Sequence, residues 1–79
     1  MAEPSIDQGR LRLNNVGRWE IVDSWNRPLA ELTSGDVVFV WVGDRWRLTR
    51  IEFAHDERRY VSVDGYRLAD GVLAALPTA

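Results

Sequence analysis

The stretch Glu31–Phe53, ELTSGDVVFVWVGDRWRLTRIEF, decides how this chain folds. It reads as turn, strand, tight turn, strand. Thr33, Ser34, Gly35 and Asp36 form a turn-prone cluster. The six-residue apolar run that follows, Val37 to Val42, consists of β-branched and aromatic residues that suit a pleated backbone. Gly43 and Asp44 break the run. Beyond them Trp46, Leu48, Ile51 and Phe53 resume an apolar pattern inside a charged segment, as a hairpin partner with one wet face does. Strict alternation puts Trp46 and Leu48 on one face and Ile51 and Phe53 on the other. A β-bulge near Thr49 and Arg50 is the expected repair, because one extra residue brings both pairs to a single face.

Working outward, residues 1–8 are polar, carry a proline and show no periodicity, so they are expected as a flexible arm ahead of a single domain over 9–79. Gly9 to Leu13 alternates and Arg18 to Val22 follows as a second strand, with Asn14 to Gly17 as the turn between them. Asp23 to Pro28 is a loop, because proline has no amide hydrogen for a central ladder. After a charged turn at His55 to Arg58, Arg59 to Asp64 alternates again. Val72 to Leu76 reads equally as a last short strand or as one helical turn before Pro77. Roughly five or six short strands, with turn signals about every eight to twelve residues, predict an all-β fold, and at this length a small antiparallel barrel.

A chain of 79 residues is one domain near the lower limit for a self-sufficient core. It has no cysteine and a single histidine, His55, so neither a disulfide framework nor a cysteine-based zinc site is expected, and no cofactor. Packing has to supply the stability, and four Trp, two Phe and two Tyr offer large apolar area. Ten basic residues, all arginine, against twelve acidic ones leave a net charge of −2, too small to mark a general polyanion binder or a DNA mimic. The acidic start of the chain lacks the apolar core of a secretory signal, and no stretch reaches membrane-spanning length, which makes a cytoplasmic protein the expectation.

Catalysis is the least supported class. His55 sits between Ala54 and Asp56 in a turn, away from any obvious nucleophile. Asp36, Asp44, Asp64 and Asp70 each lie beside a glycine, where short carboxylates bond nearby backbone amides. No phosphate loop or dinucleotide fingerprint is present. Arginine and aromatic residues stand out instead. Arg45, Arg47 and Thr49 share a face of the strand after the tight turn, with Arg50 just past the bulge and Arg58 and Arg59 in the next turn. Trp46 and Tyr60 lie nearby, and small β-barrels hold single-stranded DNA or RNA with such sets. Asp44, Glu52, Asp56 and Glu57 lie in the same stretch and would neutralise these arginines by pairing across strands. Trp25, in the loop, either folds over a barrel end or stays exposed as a contact, and so small a core favours the lid.

Two resemblances rest on these residues. The pattern Leu32-x-x-Gly35-Asp36-Val37-x-Phe39, the hairpin with Trp46 and Ile51, and Tyr60-Val61 resembles SH3-like barrels of the Tudor and KOW kind. Gly17-Arg18-Trp19-Glu20, Glu31 to Asp36 and Thr49-Arg50-Ile51-Glu52 are similar to a family of short, uncharacterised bacterial proteins classed as a domain of unknown function. That second likeness spans roughly residues 9 to 68 and implies no active site. The expectation is therefore a non-enzymatic protein-binding module. Its size and style are those of a small inhibitor, carried by a mobile element, that blocks a nucleic-acid-processing machine as anti-CRISPR proteins do. The rival is a single-stranded DNA- or RNA-binding barrel using the arginine and aromatic face.

Overall fold

The computed structural model describes residues 2–78. They form seven antiparallel strands and no helix: β1 (Glu3–Leu13), β2 (Trp19–Val22), β3 (Pro28–Glu31), β4 (Val37–Val42), β5 (Arg45–Ala54), β6 (Arg59–Ser62) and β7 (Leu73–Thr78). The sheet order is β3-β2-β1-β7-β4-β5-β6. Two three-stranded meanders, β1 to β3 and β4 to β6, are thus sewn together by the last strand.

The β4–β5 hairpin forms where the sequence places it, for a local reason. Gly43 and Asp44 both have positive φ, 61° and 62°, which is the twist a two-residue hairpin turn demands. That turn sets the register Val42↔Arg45, Trp41↔Trp46 and Phe39↔Leu48, and the pairing runs without a break to Val37↔Arg50. The expected bulge at Thr49 and Arg50 is therefore not there. Plain alternation holds: Val38, Val40, Thr49 and Ile51 are buried on the inner face, while Val37, Trp41 and Leu48 stay about two-fifths exposed on the outer one. β5 serves both neighbours by length instead, pairing with β4 over Arg45 to Arg50 and with β6 over Ile51 to Ala54.

Two further expectations are corrected and one open choice is resolved. Residues 3–8, read as an arm, are the first part of β1, where Glu3 and Pro4 pair with Thr78 and Pro77 before an irregularity ends at Gln8. Pro28 opens a strand after all, on the sheet edge, where a missing amide costs no ladder bond. Val72 to Leu76 resolves as strand: Leu73 to Thr78 is β7, between β1 and β4. Pro77 is tolerated there because β4 pairs with β7 at Ala74 and Ala75, before the proline is reached.

The sheet curls but does not close into a ladder. In a flat sheet β2 and β6 would lie five strand spacings, about 24 Å, apart. Here the Trp19 indole N–H donates to the Tyr60 carbonyl at 3.1 Å. The terminal strands β3 and β6 are not hydrogen-bonded to each other, so the predicted closed barrel is an open, strongly curved sheet of seven strands. Inside the curl lie Leu11, Trp19, Ile21, Leu32, Val38, Val40, Ile51 and Ala74, with Tyr60, Tyr66, Leu68 and Val72 packed against them. Gly9 is needed at its place, since a Cβ there would stand 2.3 Å from the Val22 carbonyl oxygen.

A buried hydroxyl relay fixes the exit from β6. Thr49 Oγ1 lies 2.7 Å from Asp64 Oδ2 and 2.6 Å from Ser62 Oγ. The Asp64 carboxylate accepts, so the single Thr49 hydrogen goes to it and Ser62 donates to Thr49. Ser62 Oγ in turn accepts the amides of Asp64 and Tyr66, at 3.3 and 3.4 Å. Every hydroxyl in the relay is used, and the chain leaving β6 is steered into residues 65–69.

Candidate binding surfaces

The arginine stripe does not survive as a surface. Arg45, Arg47 and Thr49 do share a face, but it is the inner one, with Thr49 buried. Arg47 stands opposite Val40, half-buried, with its guanidinium carbon 6.0 Å from the centre of the Tyr66 ring. Its Nε is buried without a hydrogen-bond partner among the described residues. Arg45 is exposed beside the turn. Arg50 is on the opposite face and pairs with Glu52 at 3.2 Å. Arg59 pairs with Glu57 at 2.6 Å. Arg58 is exposed with φ of 55°, holding the left-handed corner of the β5–β6 loop. Of the predicted stripe, Arg50 and Arg59 are thus already neutralised, as the interleaved carboxylates suggest, while the exposed Arg45 makes no ion pair among the described residues.

The aromatic residues divide into separate groups. Trp46 lies on the outer face between Trp41 and Phe39, edge-to-face to both, with ring centres 5.4 and 6.4 Å away. Such pairs add about 0.5–1.5 kcal/mol beyond area burial and hold the rings in fixed orientation. Phe39 is buried beneath them, and Val37 and Leu48 extend the exposed apolar surface along β4 and β5. Tyr60 belongs to another corner, edge-to-face with Phe53 at 5.0 Å, which in turn packs on His55. There the Arg18 guanidinium, and less so the Thr33 hydroxyl, act on the Tyr60 phenol and hold its pKa below the ordinary phenol value. The same interaction, with that of Glu31, raises the pKa of Arg18. Trp25 is 77 % exposed at the tip of the β2–β3 loop, so the lid expectation is wrong. The loop has its own scaffold and needs no lid: Asp23 Oδ1 accepts the amides of Trp25 and Arg27 at 2.8 and 2.9 Å. These bonds lower the Asp23 pKa, the Arg27 amide most.

Trp41, Val37, Leu48 and Phe39 were not singled out by sequence reasoning, although the signal was there. A two-residue turn at Gly43 and Asp44 already places Trp41 across from Trp46. Among the described residues no cluster of three or more His, Cys, Asp or Glu could hold a metal ion. No helix there is long and apolar enough to cross a membrane.

The outer β4–β5 face, two tryptophans on a curved antiparallel sheet, defines a small all-β domain with an exposed aromatic surface. Residues 9–76 match the model of a family described as a domain of unknown function, DUF5348, and the chain belongs to that family. Comparison with curated proteins and with solved structures gives no match.

Proposed function

We propose that the chain is a non-enzymatic protein-binding module that engages a partner protein through the outer face of β4 and β5. One observation carries this reading. Trp41 and Trp46 are locked edge-to-face in an apolar patch with Val37 and Leu48, while Arg50 beside it is neutralised by Glu52. Tryptophans held rigid on a sheet lose little entropy on contact and are the commonest anchors of protein interfaces. An exposed contiguous apolar patch on so small a domain is what an interaction site looks like. The partner's complementary surface is apolar and close to neutral, so the contact responds weakly to salt. Single-stranded nucleic acid is the lesser reading, because it needs several free arginines alongside the rings. Beside Trp46 only Arg45 is exposed without an ion pair among the described residues, Arg50 being held by Glu52 and Arg47 half-buried. The narrower expectation of an inhibitor of a nucleic-acid-processing machine rests on size and style and forms no part of the proposal.

Three variants and two salt concentrations test it. Proteins retained by the immobilised wild type should be lost with Trp41→Ser or Leu48→Ser, kept with Arg45→Ala/Arg50→Ala, and held equally at low and moderate salt. Retention that ignores the two face variants, or tight salt-sensitive binding of labelled oligonucleotides that disappears with Arg45→Ala/Arg50→Ala, would overturn the reading.

A further inference from the structure

The groove between β6 and residues 65–69, a cavity of about 570 Å³, lies on other elements than the tryptophan face. Its two walls differ in what they still offer. On β6, the Tyr60 carbonyl is taken by the Trp19 indole and the Ser62 carbonyl by the Gly65 amide at 3.0 Å. The opposite wall is open. Tyr66 and Leu68 pack against the core while Arg67 between them is exposed, which is the alternation of an extended chain. Yet this extended segment belongs to no strand, and the amides of Arg67, Leu68 and Ala69 donate no backbone hydrogen bond to any described residue. It is a strand in shape without a partner.

Charge says what would fill it. Arg59 and Arg67 line the groove with Glu57, and Glu57 is held by Arg59. Arg67 makes no ion pair among the described residues. The groove is therefore locally positive on a chain of net charge −2. Its size falls within the usual range of binding clefts, and Tyr60 and Tyr66 are among the residues that line it.

We infer that this groove binds an extended acidic peptide segment as an added strand along residues 66–69. The peptide's carbonyls accept from every second amide of that wall, its alternate side chains lie against the tyrosine rings, and a carboxylate pairs with Arg67. Backbone pairing supplies affinity without sequence demand, and the arginine supplies the preference for acid. The site is independent of the tryptophan face, and either can fail without the other.

The test uses a capped peptide of about eight residues alternating glutamate and valine, its lysine counterpart, and the full chain labelled with nitrogen-15. The acidic peptide should shift the amide signals within residues 67–69 and bind at least about tenfold more tightly than the basic one, a difference of about 1.4 kcal/mol. Arg67→Glu, at an exposed position that leaves the fold intact by circular dichroism, should reverse the preference; Trp41→Ser should change nothing. No binding of the acidic peptide, equal binding of both peptides, or binding abolished by Trp41→Ser would each overturn the site. So would an oligonucleotide that shifts the same amides where the peptide does not.

Discussion

At the scale of the residue, the same side-chain types do opposite work according to which way the strand turns them. Arg47 and Arg50 are three residues apart, yet one is stacked on Tyr66 within the curl and the other lies outside against Glu52. Asp23 shows how a single short carboxylate can build a loop, accepting two amides and the Arg27 guanidinium at 3.1 Å. Those bonds favour the charged form, so folding holds the Asp23 pKa below its ordinary carboxylate value. The unfolded chain then binds the proton more readily. Asp23 therefore stabilises the fold fully above the ordinary carboxylate range, and the contribution is lost as pH falls through the lowered pKa. Thermal melts from pH 5 down to pH 2 should show a steeper loss for the wild type than for Asp23→Asn, which lacks the titrating group. Equal slopes would mean that the loop is indifferent to this charge.

At the scale of the element, the strand β5 matters most, because its two halves pair with different neighbours while its inner residues stay in one alternating row. Thr49 sits where the two halves meet and links Ser62 to Asp64. Thr49→Val keeps the volume and removes the hydroxyl, leaving Ser62 and Asp64 without their shared partner. The expected loss is about 1–3 kcal/mol in urea unfolding, with an unchanged slope. A neutral result would show that water replaces the relay. This element also shows what could be read beforehand. The β4–β5 hairpin was legible because a β-branched run, a glycine turn and an alternating partner agree locally. The bulge is a false inference from a sound rule: apolar residues on both faces of β5 suggest a fault of register, whereas the outer pair, Trp46 and Leu48, packs with or lies across from residues of β4. The short strand β3 was hidden by Pro28, whose place at an edge is a fact of tertiary arrangement. β7 was hidden likewise, since two alanines and two leucines are neutral between strand and helix until β1 and β4 flank them. Of the binding surfaces, the residue types were legible and their grouping was not. Trp46 and Tyr60 are on the same short stretch of sequence but in different corners, because an intervening hairpin loop separates them.

At the scale of the whole molecule, the open curl stands in place of a closed ladder, and a few side chains do the closing. Trp19 is the principal one, buried in the core and hydrogen-bonded across the gap to Tyr60. Trp19→Phe keeps an aromatic ring and removes the donor. It should cost about 1–3 kcal/mol, as loss of a partner for a partly buried carbonyl together with a smaller core ring implies. Hydrogen exchange should quicken at the amides of β6 more than at those of β1, because the gap opens from that edge. Uniform quickening would mean that the indole serves the core alone. The same bond shields the β6 edge, whose free carbonyl would otherwise invite pairing with another chain.

The central place of β7 has a consequence for how the protein is made. Until Leu73 to Thr78 are present, the first three strands and the next three share no ladder, for β7 is what joins β1 to β4. A growing chain that has emerged as far as β6 carries two separate meanders, each with an uncovered apolar side. The ribosome therefore delivers the keystone last, and folding waits for it: a nascent chain stalled before Leu73 should remain accessible to protease and chaperone, and release of these few residues should convert it in one step.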